Sequence, residues 1–298
     1  MSVDIAMATY NGEEFIESQI RSIINQTFTD WRLLISDDGS KDNTIQIIKK
    51  LMNEDGRIFL VNQERQGGVI PNFNKALEFC SAKYIALSDQ DDIWLPEHLS
   101  NLLDEINKYD NYRPQLVFSD LSLIDQNSNL MAKSFYKLNN INPLDNLIKN
   151  ILLWKSSVYG CSTIFNQALL KIAYPVPNDT AMHDQWLALW ASKYKGLNYL
   201  NQSTILYRQH SNNIVGGSKQ NLFSKIKNFE SLLNKVKNSS KNTRIILKDY
   251  KGIYRPNKNV DEQVDIIAFA IKEVFPQIFV GNKKFYTIIF LYTLLMYK

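Results

Sequence analysis

Three acidic side chains stand within four residues at Asp89-Gln90-Asp91-Asp92. Carboxylates this close repel one another unless a cation or hydrogen-bond donors offset their charge. Hard divalent cations suit such a cluster, because Mg²⁺ or Mn²⁺ takes one or two protein carboxylates and fills its other positions with phosphate oxygens and water. The competing reading is an acidic turn that caps the helix expected at Pro96. A second cluster, Asp37-Asp38-Gly39-Ser40-Lys41-Asp42, offers acceptors for a base N–H or a ribose hydroxyl. Asp-Gly-Ser is also ordinary turn chemistry, and Asp42 an ordinary N-cap. A third segment, Ala8-Thr9-Tyr10-Asn11-Gly12-Glu13-Glu14, joins a Tyr ring able to contact a base to an Asn-Gly pair able to turn sharply.

Each of these segments follows a strand-like run: residues 3–7, 31–36 and 84–87. The last is continuously apolar, as a strand buried on both faces would be. Amphipathic stretches at 13–24, 43–52 and 72–79 read as helices between the strands, with a further strand at 58–61. Pro96 suits the first turn of a helix over 97–108, on which His98 reads as a surface residue. Residues 116–118 and 162–165 are further strands, and 184–194 a helix rich in Trp and Leu. This alternation predicts an α/β fold, a Rossmann-like mostly parallel sheet flanked by helices. It also places the clusters on the carboxyl edge of the sheet, where ligands bind in open α/β folds.

Three later positions carry further chemistry. Asp184, in His183-Asp184-Gln185-Trp186, stands at a helix start, where the ionised carboxylate is favoured and an N-cap is the ordinary reading. Tyr207-Arg208-Gln209-His210 follows an apolar run and supplies a cation suited to phosphate oxygens and an imidazole suited to metal or phosphate. Gly216-Gly217 beyond it reads as a hinge or as a plain linker.

The three N-terminal segments resemble, in order and spacing, the first half of family 2 glycosyltransferases of the inverting GT-A type. They match its Tyr-Asn turn, its Asp-Asp-Gly-Ser-x-Asp segment and its Asp-x-Asp after a strand. The resemblance runs over about residues 1–216 and implies a GT-A fold, a nucleotide diphosphate sugar donor and a Mg²⁺ or Mn²⁺ cofactor. By position it implies nucleotide contacts at Thr9, Tyr10, Asn11, Glu14, Asp37, Asp38, Arg65, Asn72, Asp89, Gln90 and Arg208. It implies metal ligands at Asp91 and His210, and a catalytic base at Asp184. His183 stands where the family usually carries Glu, which puts the local charge in question. Ala8 to Gly12 and Ser88 to Trp94 are most similar to bacterial rhamnosyltransferases of surface polysaccharide assembly, which implies a glycan or lipid-linked oligosaccharide acceptor.

The 298 residues, 45% apolar and 21% charged, have globular composition. Eleven Lys or Arg against Glu230 and Asp249 fall between 219 and 258, so the +4 net charge is unevenly spread. We therefore expect a catalytic domain over 1–218 and a basic helical region over 219–298, ending in an apolar run at 285–297. The run is too short as a helix for the roughly 30 Å hydrocarbon core. It fits either an interfacial contact with the inner leaflet or a helix docked on the protein. Its basic neighbours lack the aromatic platform of nucleic-acid binders, and no such partner is expected. With no secretory signal at the start, a cytoplasmic location is expected. Cys80 and Cys161, set in apolar runs, read as buried free thiols. A nucleotidyltransferase or a non-catalytic sugar-nucleotide scaffold are the rival readings; the first lacks a Gly-rich, Lys-bearing phosphate loop here.

Overall fold

The computed structural model describes residues 2–147, 152, 156–178, 180, 182–209, 240, 243–244, 267, 270–276 and 284–296. His210, Gly216, Gly217 and the basic stretch 219–239 lie outside the described residues. The chain separates into two compact units, one of residues 1–147, 157–178 and 182–216, the other of 148–156, 179–181 and 217–298.

The first unit is an α/β structure on one nine-stranded sheet, in the order β3-β2-β1-β4-β8-β6-β9-β5 with β7 paired to β6. The strands are β1 Val3–Thr9, β2 Trp31–Asp37, β3 Ile58–Asn62, β4 Tyr84–Ser88, β5 Ile93–Trp94, β6 Leu116–Ile124, β7 Leu130–Ala132, β8 Thr163–Asn166 and β9 Leu197–Arg208. The flanking helices are α1 Ile16–Ile24, α2 Thr44–Glu54, α3 Val69–Leu77, α4 His98–Ile106, α5 Phe135–Leu138, α6 Gln167–Ala173 and α7 His183–Lys193. Strands β3, β2, β1 and β4 are mutually parallel, and β8 then enters antiparallel between β4 and β6. The mixed α/β architecture with helices on the sheet is as the alternation predicted.

The register decides what the sheet can present. Thr9 lies level with Asp37, and Met7 with Ser88, so the chain leaves β1, β2 and β4 at one edge. The strand interiors are closed: Val3, Ile5, Met7, Leu33, Ile35, Ile85, Ala86 and Leu87 are all buried. Side chains that reach a ligand must therefore come from the turns just beyond the strands.

Some elements differ from expectation. Helix α3 begins at Val69, ahead of Pro71, because a proline in the first turn gives up an N–H that has no helical partner anyway. Strand β6 runs to Ile124 and pairs in parallel with β9 through irregularities around Asp120. Its polar residues Ser119, Asp120 and Ser122 are buried and hydrogen-bonded, which hides the strand from a hydropathy pattern. His98 is a correction: it is buried, with Nδ1 2.8 Å from Thr204 Oγ1 and its ring 4.2 Å from that of Trp94. The first turn of α4 packs on β9, and burial pushes the imidazole down to about 3.

Of the second unit, helix α8 Lys284–Met296 is the longest described element. Phe290 and Leu294 are buried, whereas Ile288, Tyr292, Leu295 and Met296 are exposed. The Arg244 guanidinium donates to the Leu294 carbonyl. No described helix is long and apolar enough to cross a membrane.

Candidate functional site

The turn after β1 is built by exchange with the turns beyond β2 and β4. Asn11 takes a left-handed backbone, φ 46°, which Asn tolerates better than most residues. Its N–H donates to Ser40 Oγ at 2.8 Å, and its Oδ1 accepts from Lys41 N at 2.9 Å. Gln90 clamps the Tyr10 peptide from the other side, Oε1 accepting from Tyr10 N at 2.8 Å and Nε2 donating to Tyr10 O at 3.1 Å. The side chain lies so close that a Cβ at Gly12 would meet Gln90 Oε1 at 2.5 Å. The Tyr10 ring is left half exposed and Glu14 is exposed, both free of the packing below.

The carboxylates after β2 are turned inward. Asp37 is buried and accepts from Thr9 Oγ1 at 2.6 Å, Ser40 Oγ at 2.6 Å and Ser40 N at 2.7 Å. Asp38 accepts from three successive backbone N–H groups: Gln66, Gly67 at 2.8 Å and Gly68 at 3.0 Å. Gly67 and Gly68 have φ of 89° and 142°, conformations that side-chain-bearing residues rarely adopt. Asp38 thus fixes the loop that carries the exposed Arg65, whose Cβ would stand 3.4 Å from a Cβ at Gly39. Asn72 is buried, accepting from Ser36 Oγ at 2.6 Å and donating to the Thr9 carbonyl at 3.1 Å. Of the residues assigned to the nucleotide, then, Thr9, Asp37, Asp38 and Asn72 brace the edge of the sheet, while Tyr10, Asn11, Glu14 and Arg65 lie on its exposed side.

The loop after β4 gathers the acidic charge. Asp89 and Asp91 are half-buried and Asp92 is buried. Ligand atoms of Asp89, Asp92 and Cys161 all lie within 4.8 Å of one another. Burial, with the charges of Asp91 and Asp184, pushes Asp89 up to about 7. Burial, with the charges of Asp91 and Asp89, pushes Asp92 well above the usual carboxylate range. Asp92 Oδ1 accepts from Arg208 N at 3.0 Å, and among the described residues no N–H or O–H donates to Oδ2, the Cys161 thiol lying beside the carboxyl. The Cys161 thiol is held protonated by burial and by the Asp92 charge, and both cysteines are free and buried. Two crowded carboxylates with an unsatisfied oxygen, beside a third on the same loop, are a donor set that fits a hard cation.

Arg208 sits under this loop. It is 1% exposed; Nε donates to the Asp91 carbonyl at 2.8 Å, and Nη1 to the Asp125 carbonyl, the Gln126 carbonyl and Ser128 Oγ at 3.0–3.2 Å. Its guanidinium also lies 4.6 Å from the centre of the Phe15 ring. The geometry makes it a brace of the acidic loop. Asp92 and Arg208 are the partners that sequence reading did not join, since the pair is 116 residues apart.

Asp184 lies in the first turn of α7, and Met182 at the cap makes no side-chain hydrogen bond. Asp184 Oδ1 accepts from Gln185 N at 2.6 Å and Oδ2 from Gly160 N at 3.1 Å. Burial raises its carboxyl to about 6. Its charge reaches Asp89, so the two acidic centres share one field.

A mixed sheet whose parallel strands end in acidic turns, with a buried carboxylate at a helix start, fits the GT-A class of fold. The family model described as glycosyl transferase family 2 matches residues 4–170, and the chain belongs to that family. It is 31% identical over 228 residues to a dTDP-rhamnosyl transferase of Shigella flexneri, covering 71% of this chain and 74% of the relative. It is also 31% identical over 196 residues to the Escherichia coli UDP-Glc:alpha-D-GlcNAc-diphosphoundecaprenol beta-1,3-glucosyltransferase, covering 66% and 71%. Among solved structures, a mannosyltransferase from Pyrobaculum calidifontis in complex with GDP-Man and Mn²⁺ aligns with TM-score 0.59 and 15% identity, over 99% of this chain and 87% of that one. S. aureus TarS in complex with UDP-GlcNAc aligns with TM-score 0.57 and 17% identity, over 98% and 79%.

Proposed function

We propose that this glycosyltransferase moves L-rhamnose from dTDP-rhamnose to a hydroxyl of a lipid-linked polysaccharide precursor, with inversion at the anomeric carbon. The observation that carries the reading is that Asp184 Oδ2 accepts from the N–H of Gly160 at 3.1 Å, while the next residue, Cys161, lies within 4.8 Å of the Asp89 and Asp92 carboxylates of the loop after β4. One centre is suited to a proton and the other to a diphosphate. The rhamnosyl relative favours this donor. The glucosyltransferase relative, equal in identity, makes UDP-glucose the donor to test against it.

In this reading Tyr10, Asn11, Glu14 and Arg65 line the nucleotide from the exposed side of the edge that Thr9, Asp37, Asp38 and Asn72 hold rigid. Gln90 sets the Tyr10 turn against the acidic loop. Asp91 would hold Mg²⁺ or Mn²⁺, with the crowded carboxylates of Asp89 and Asp92 as further oxygen donors on the same loop and Arg208 bracing that loop from beneath. When bound, the metal supplies positive charge beside the diphosphate, where negative charge develops. Asp184, ionised, takes the acceptor hydroxyl's proton as that oxygen forms its bond to the anomeric carbon. The bond to the donor phosphate breaks on the opposite face, its electron pair leaves with the nucleotide diphosphate, and no covalent sugar intermediate forms. His210 remains an expectation from the family pattern, outside the described residues.

The proposed setting is the cytoplasmic face of the membrane. The exposed apolar residues of α8 and the Lys-rich stretch 219–258 support contact with an anionic inner leaflet. Vesicle flotation of the full chain, against one ending at residue 280, tests this: unchanged binding after truncation would overturn a role for α8. The function itself is tested by incubating the chain with dTDP-rhamnose or UDP-glucose and a diphosphate-lipid-linked sugar acceptor. Transfer from dTDP-rhamnose, lost in Asp184→Asn while nucleotide binding is kept, is expected. Transfer from UDP-glucose alone would overturn the donor, and binding without transfer from either would favour a scaffold.

A further inference from the structure

His183 has no part in the chemistry above, yet it is among the most constrained residues near it. Its imidazole is 3% exposed, and among the described residues neither ring nitrogen has a hydrogen-bond partner. A buried polar ring left unpaired carries a desolvation penalty that an apolar side chain would avoid, so its retention calls for a reason. One face stacks on Phe73 of α3, with ring centroids 4.0 Å apart and planes inclined by 29°. On another side it meets Gly160: a Cβ built there would lie 2.9 Å from His183 Nε2 and 3.6 Å from Asp184 Cβ. Gly160 is also the residue whose N–H donates to Asp184 Oδ2 at 3.1 Å. The Met182 side chain at the start of α7 makes no capping hydrogen bond. Steric confinement of the residue before Asp184 adds to what the hydrogen bonds of Asp184 to Gln185 N and Gly160 N hold.

We infer that His183 is a positioning residue: wedged between Phe73 and the bare backbone of Gly160, its ring fixes the first turn of α7 and so aims the Asp184 carboxylate. The inference rests on the reading of Asp184 as the base. It also gives α3 a double task, because Asn72, next to Phe73, ties down β1 and β2 at the nucleotide edge. The ring acts by shape, through its stack on Phe73 and its contact with Gly160, and a phenyl ring should replace it.

The test compares kcat for transfer and the Kd for dTDP in His183→Ala, His183→Phe, Gly160→Ala and the double variant G160A/H183A. A misaimed catalytic group can cost up to about 100-fold in rate. His183→Ala is expected to lower kcat at least about tenfold with Kd for dTDP unchanged, and His183→Phe to restore kcat to within about threefold. Gly160→Ala should lower kcat alone yet add little to His183→Ala, because the clash needs both side chains. Unchanged kcat in His183→Ala, or His183→Phe as poor as His183→Ala, would overturn the inference, the second result assigning the nitrogens a chemical role. Additive losses in G160A/H183A would overturn the wedge. If His183→Ala does not fold, His183→Phe and Gly160→Ala carry the same decision. Asp184→Asn with full transfer activity would instead remove the base reading itself.

Discussion

The backbone N–H of Arg208 donates to Asp92 Oδ1 at 3.0 Å, which ties the end of β9 to the acidic loop after β4. The guanidinium of the same residue holds the carbonyls of Asp91, Asp125 and Gln126. Each buried acceptor left unsatisfied costs about 1–3 kcal/mol, part of it relieved by entering water. Arg208→Ala is therefore expected to destabilise the fold by about 3 kcal/mol. Denaturant unfolding, read as the midpoint at constant slope, checks this. A direct diphosphate role would show instead as weaker nucleotide binding at unchanged stability.

Asp38 accepts from three consecutive N–H groups, Gln66 to Gly68, with both carboxylate oxygens. An amide offers one oxygen, so Asp38→Asn must release part of the loop that carries Arg65. The expected outcome is a loss of about 1–2 kcal/mol in stability and weaker nucleotide binding by about tenfold. Thermal unfolding and calorimetry measure the two. Unchanged nucleotide affinity would separate the loop from the pocket.

The pH profile follows from Asp184. Burial raises its carboxyl to about 6, and a base must be ionised to accept a proton. Raising the pKa means the acid form persists to higher pH, so kcat falls as pH drops through about 6. An ordinary aspartate would hold its rate to about pH 4. A profile flat from pH 7 to 5 at saturating substrate would contradict the assignment, as would Asp184→Asn retaining the rate.

The strand ends and their turns were legible because β1, β2 and β4 are short apolar runs closed by polar residues that cannot continue a buried strand. The family followed from the order of those turns, and both cysteines were recognisable from their apolar settings. What the sequence concealed is tertiary. Asp37 and Asp38 read as ligand acceptors, yet their bonds run to Thr9, Ser40 and the 66–68 backbone. His98 looked exposed because one turn of helix does not reveal which face meets β9. Gly160 gave no motif at all; its importance lies in the side chain it lacks, against the distant His183. Strands β6 and β9 were under-read because Ser119 and Ser122 bond across the pair to Thr204 and Ser203, while buried Asp120 accepts from Ser134.

The central claim is a metal-dependent nucleotide diphosphate site on the loop after β4. It is tested most directly by calorimetric binding of dTDP, UDP and GDP, each with Mn²⁺ and with EDTA, to the wild-type chain and to Asp91→Ala. The expected result is binding of dTDP that needs Mn²⁺ and weakens at least about tenfold in the variant, about 1.4 kcal/mol. Binding indifferent to both EDTA and the substitution, or no binding of any of the three, would contradict it.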